Sequence, residues 1–162
     1  MHAELLDSAL KLACAGSSGP ASQADLRRAL STAYYAAFHF VVAECADLLA
    51  NDRGGSDLER AWLQVYRSIN HADVRTACNY AASADNAFPS SIRSFAVLYP
   101  SLKRIREDAD YNPRIGASIN ENYVLAKIGE ADVALADFAA EDRRHRQAFA
   151  VLVAYGGRKR NH

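Results

Sequence analysis

Two stretches of this chain concentrate side chains that can hold an anion or move a proton. In RRALSTAYYAAFHF, residues 27–40, Arg28, Tyr35 and His39 fall within about 40° of one another at 100° per residue. Ser31 and Thr32 stand beside them, and Leu30, Ala33, Ala37 and Val41 form a neighbouring stripe. In LKRIREDADYNP, residues 102–113, Arg104, Asp108 and Tyr111 share one face, while Arg106 and Asp110 form an i,i+4 pair on another. A line of cation, phenol and imidazole serves acid–base chemistry or anion binding where it meets solvent. Sealed between helices, it must find partners, because a buried unpaired Arg is expensive. If the two stretches pack together, Asp108 or Asp110 neutralises Arg28 and Tyr111 bonds to His39. On residue types alone, a network that fixes helix packing is the plainer expectation.

Two further groupings were weighed. His71 and Arg75, with Arg67 ahead of them, form either a phosphate-gripping face or a solvated surface pair, and the pair is the simpler reading. Arg143, Arg144, His145, Arg146 and Gln147 suit a groove for RNA, but adjacent Glu141 and Asp142 favour an exposed face with local salt bridges. No Gly-rich phosphate loop, HExxH, GxSxG or metal-spaced carboxylate pair occurs, so neither metal nor cofactor is expected. Cys14, Cys45 and Cys78 make no CxxC pair and read as small core residues in a reducing cytosol.

The elements that position these groups are helical. Ala fills 32 of 162 positions, against 8 Gly and 4 Pro, which favours helix throughout. Leu5, Leu6, Ala9, Leu12 and Ala13 mark an amphipathic first helix, which Gly16, Gly19 and Pro20 end. Ser22 with Asp25 resembles a capping box, and the helix it opens runs to about Ala50. Gly54 and Gly55 close the next connection. Ser56 with Glu59 caps a third helix bearing Leu58, Trp62, Val65, Tyr66 and Ile69 on one face. A short helix follows over 71–83, then a loop from Asp85 to Pro89. The helix from Ser90 and Ser91 contains Pro100, which predicts a kink or break near Tyr99. Asn112, Pro113 and Gly116 turn the chain. Ser118 with Glu121 caps a last helix reaching Tyr155, before Gly156 and Gly157. No alternating strand pattern appears. The sum is one all-α domain over residues 1–157, an up-and-down bundle of five to six helices, with a disordered basic tail at 158–162.

Nineteen basic residues balance nineteen acidic ones, so no global field draws nucleic acid or an anionic membrane. The balance hides a gradient. Residues 143–162 carry six basic side chains and no acid, leaving the preceding 142 at a net −6. No window approaches the roughly 18 apolar residues of a membrane span, so no membrane contact and a cytoplasmic location are expected.

The pattern R-R-A-x-S-x-A-Y-Y-A-x-F-H at 27–39, followed by R-x-R leading into A-D-Y-x-P, resembles the HEPN (higher eukaryotes and prokaryotes nucleotide-binding) domain family. The resemblance covers residues 22–160, including AWLQVYRSINHADVRTAC and RRHRQAFAVLVAYGGRKR. It implies a helical bundle that forms a homodimer. Some family members are metal-independent ribonucleases of toxin–antitoxin and defence systems. Others bind RNA, nucleotides or a partner protein, such as a nucleotidyltransferase antitoxin, without cutting. Active members use R-x(4–6)-H, in which Arg holds the phosphate and His serves the 2′-hydroxyl. Arg104 matches that Arg, but the positions open to His hold Ala109, Asp110 and Tyr111. Arg67 to His71 and Arg158 to His162 are each one residue short. A carboxylate with a pKa near 4 is a weaker base than imidazole near 6.5, and Arg106 beside Asp110 lowers it further. The implied function is therefore a non-catalytic or degenerate member that binds RNA, a nucleotide or a protein. The alternative is a ribonuclease with an atypical site built from Arg28, His39, Arg104 and Asp110.

Overall fold

Helix α2, Gln23–Ala50, is the central element, about 42 Å long at 1.5 Å per residue. The computed structural model describes residues 1–14, 19–50, 56–83, 88–115 and 119–156. Around α2 lie α1 (His2–Ala13), α3 (Ser56–Ser68), α4 (His71–Ala81), α5 (Ser90–Tyr111), α6 (Glu121–Ala140) and α7 (Arg143–Tyr155). Among the described residues every element is a helix, and together they form an all-α bundle.

Small side chains explain the centrality of α2. Ala29, Ala33, Ala36, Ala37 and Ala46 are fully buried, so α1, α3, α5, α6 and α7 all pack against this helix. Ser22 begins it: its Oγ accepts from Asp25 N at 3.1 Å and donates to the Asp25 carboxylate at 2.6 Å. That contact is half of the expected capping box. By length and composition α2 is apolar enough to cross a membrane, which corrects the expectation that no window comes close; 56% of the qualifying window is buried inside the protein.

Four local expectations change. Pro100 sits inside α5 without breaking it, because Phe95, Tyr99 and Leu102 are buried around it and hold the helix against the missing hydrogen bond. The last helix is two, and the described helices number seven rather than five or six. Glu141 turns extended (ψ 156°), and Asp142 caps α7 by accepting from Arg144 N at 2.7 Å. Glu141 also accepts from Ser91 Oγ and pairs with His145 Nδ1 at 3.0 Å. Ser91 first, then His145, hold its carboxyl down at about 2. Asn120, not Ser118, caps α6, accepting from Tyr123 N at 2.9 Å. Cys14 is exposed, which corrects its core assignment, whereas Cys45 and Cys78 are buried and burial pushes the Cys45 thiol up to about 12. The breaks at Gly16, Gly54, Gly55 and Gly116, the capping side chain of Ser56, most of the 85–89 loop and the basic tail lie outside the described residues.

Candidate binding site

Where the start of α2 meets the end of α5, the seam between them is polar. Arg27 donates from Nη1 to the carbonyls of Ala109 (3.0 Å) and Asn112 (3.1 Å), closing the end of α5 where carbonyls lack helical partners. Ser31, 4% exposed, donates to Asp110 Oδ1 at 2.6 Å. Arg106 donates from Nη2 to Tyr35 Oη at 3.0 Å. Its Nε stands 2.8 Å from Asp110 Oδ2, an ion pair whose angle makes no hydrogen bond and leaves Nε buried. Its guanidinium carbon lies 5.6 Å from the centres of both the Tyr35 and Tyr111 rings. Burial opposes this charge, yet Tyr35, Asp110 and Tyr111 more than offset it and raise the group above its ordinary pKa.

Further along α2 the seam turns aromatic. Tyr34 Oη lies 2.7 Å from His71 Nδ1 and 3.2 Å from Tyr99 Oη. His39 Nδ1 lies 2.6 Å from Tyr66 Oη. Each tyrosine thus fixes an imidazole through Nδ1, and neither Nε2 has a partner among the described residues. Phe38 sits between the two imidazoles, 3.9 Å from the ring centre of His71 and 5.5 Å from that of His39. Near-parallel rings run Trp62–Tyr66 (4.9 Å), Tyr66–His39 (6.1 Å) and His39–Tyr35 (6.4 Å), ending under Arg106. Burial lowers the pKa of both histidines; for His71 the charges of Arg106, Lys103 and His39 add to it. Both rings are therefore neutral at pH 7.

The structure brings some of the sequence-selected residues together and separates others. Tyr35, Arg106 and Asp110 meet. Asp110 spends its charge on Arg106 and Ser31, so it does not neutralise Arg28, which is exposed with no ion pair among the described residues. Tyr111 does not bond to His39; it is 73% exposed and lies against Arg106, while His39 is held by Tyr66. Arg104 and Asp108 line a small cavity of about 180 Å³ with Ile115 and Tyr123. His39 lines a different one, of about 420 Å³, with Met1, His2, Glu44, Trp62 and Tyr66. His71 is no surface pair with Arg75: it is half-buried and turned inward against Phe38 and Tyr34. On α7, His145 bonds locally to Glu141, whereas Arg146 reaches across to Glu44 on α2 at 2.6 Å, so neither side chain is left to line a groove.

Sequence reasoning missed Tyr34, Tyr66, His71 and Tyr99 as parts of one cluster. The adjacent Tyr34 and Tyr35 were its one local signal, since two neighbouring helix positions cannot both face the same partner. Tyr34 turns to α4 and α5, and Tyr35 turns to Arg106. The chain matches no protein-family model, no curated protein and no solved structure.

Proposed function

We propose that this chain is a HEPN-like helical protein that binds single-stranded RNA or a nucleotide on a face built by α2, α3, α4 and α5 without cutting it. One observation carries the reading. His39 and Arg104, which catalysis of the expected kind needs around one phosphate, line separate cavities, and the charge of Arg106 is already answered by Asp110. A row of half-buried aromatic edges ending at Arg106 and the exposed Tyr111 suits base stacking, with exposed Arg28 and Arg75 as surface cations. Fluorescence anisotropy with a labelled 12-nucleotide RNA in EDTA tests it. Binding that weakens steeply with salt and falls about tenfold in Arg75→Ala/Tyr111→Ala, with the RNA intact on a gel, is the expected result. No binding at 100 µM protein overturns it.

A second reading is a metal-independent ribonuclease, favoured by two neutral imidazoles whose Nε2 has no partner among the described residues, with Arg106 near His71. There His39 and His71 would share acid and base work, and Arg104 would be dispensable. Cleavage in EDTA that is lost in His39→Ala but kept in Arg104→Ala selects this reading.

A further inference from the structure

Helix α5 sets three cations four residues ahead of three anions: Lys103 with Glu107, Arg104 with Asp108, and Arg106 with Asp110. The order of charge is the same in all three, so the helix offers each the same geometry. The first and third close into ion pairs. Arg104 and Asp108 do not, and neither side chain has an ion pair or hydrogen bond among the described residues. Both instead line one cavity of about 180 Å³, walled by Ile105 on α5, Ile115 in the following turn, Ile119 ahead of α6 and Tyr123 on α6. No other charged side chain among the described residues lines it; Lys127, 5.8 Å over the Tyr123 ring, is held by Glu130. The wall opposite α5 is fixed without any ligand. Gln23 on α2 donates to the Ile119 carbonyl at 2.9 Å, Asn120 accepts from Tyr123 N at 2.9 Å, and Ile119 is 3% exposed.

The cavity is smaller than the roughly 300–1,000 Å³ of sites for drug-sized ligands, so its occupant is a small solute. An anion such as phosphate gains Arg104 but faces Asp108, and an amine meets the reverse. A zwitterion answers both charges, and a branched aliphatic group covers the three isoleucines. We propose that this cavity binds a free aliphatic α-amino acid, with its carboxylate on Arg104, its ammonium on Asp108 and its side chain against Ile105, Ile115 and Ile119. Arg suits the first role because its planar fork holds a carboxylate through two hydrogen bonds. The site is separate from the RNA face proposed above, because Arg104 and Arg106 stand about 160° apart around α5; either reading can fail alone.

Leucine is the probe, followed by isothermal titration calorimetry and by the amide NMR spectrum of the 17.7 kDa chain. The expected dissociation constant is about 0.1–1 mM, the range open to so few atoms, with shifts gathered at the amides of Ile115, Ile119 and Tyr123. Isocaproate, which lacks the ammonium, and isoamylamine, which lacks the carboxylate, are each expected to bind at least tenfold more weakly. Arg104→Gln and Asp108→Asn are each expected to weaken leucine at least tenfold, with far-UV circular dichroism confirming that the helices are kept. Asp108→Asn is also expected to bind isocaproate more tightly than the native chain does, a gain that damage to the fold cannot produce. No binding at about 10 mM leucine, equal binding of the acid or the amine, or variants that bind leucine as the native chain does overturns the proposal.

Discussion

Two aromatic clusters of different character pack around helix α2, joined where Phe95 meets Tyr99 at 5.8 Å. On one side Phe40, Phe95, Phe138 and Phe149 meet edge to face, with Phe138 5.6 Å from Phe40, 5.2 Å from Phe95 and 5.5 Å from Phe149. All four are 3% exposed or less, and no polar atom among their side chains needs a partner. On the other side Tyr34, Tyr35, His39, Tyr66, His71 and Tyr99 are just as close, but every ring carries a polar group tied to another helix. The first cluster is held by packing, which depends on shape and volume. The second is held by hydrogen bonds, each worth little net but costly to break on one side only. That makes the polar cluster the side where charge, pH or a bound ligand can change the fold's energy.

The largest test of this contrast is Phe138→Ala. It removes three edge contacts at once and leaves a cavity in a region with nothing polar to admit water, so about 3–5 kcal/mol is expected. Urea denaturation measures it as a lower midpoint. The same truncation at the half-buried Tyr35 should cost clearly less. Equal costs would mean that the polar cluster is held by packing as strongly as the phenylalanine cluster.

Asp110→Ala comes next. It strips Arg106 of its carboxylate and Ser31 of its acceptor, with about 1–2 kcal/mol expected because the pair is only partly shielded, at 20% and 29% side-chain exposure. A double-mutant cycle with Ser31→Ala should show coupling of roughly 1 kcal/mol. Additive effects would show that the seam is a set of separate contacts rather than a network.

Which parts of this arrangement the amino-acid sequence discloses follows from distance along the chain. The ends of α2 were readable, since Ser22 caps its own helix three residues away and Gly residues follow. The i,i+4 pair of Arg106 and Asp110 was readable for the same reason. The break between α6 and α7 was not, because no Gly or Pro marks it; it rests on Glu141 receiving Ser91 from a helix 50 residues earlier. The tyrosine–histidine pairs span 37 and 27 residues. Periodicity assigns such residues to a face but cannot tell which neighbouring helix that face meets. So Tyr66 is placed only on the face of its helix that also bears Trp62 and Ile69, His71 reads as surface, and Tyr111 reads as the partner that His39 finds in Tyr66 instead.

The smallest effect, and the one most specific to the polar side, is a pH dependence between 7 and 5. Burial lowers the folded-state pKa of His39 and His71, and around His71 the cations Arg106 and Lys103 push the same way. In the unfolded chain both titrate near 6.5. As pH falls below that value the unfolded state takes up protons that the folded state resists, so stability is full above about 6.5 and declines as pH drops through the folded values. Glu141, held at about 2, contributes stability present above its ordinary 4.5 and lost only as pH falls towards 2, so its loss lies below this window. Urea midpoints at pH 7.5, 6 and 5 should fall for the native chain and fall less for His39→Gln/His71→Gln. His2, whose pKa burial also lowers, adds the same background to both proteins and cancels in the difference. Parallel profiles would mean that the imidazoles take protons without strain, leaving the tyrosine side as indifferent to pH as the phenylalanine side.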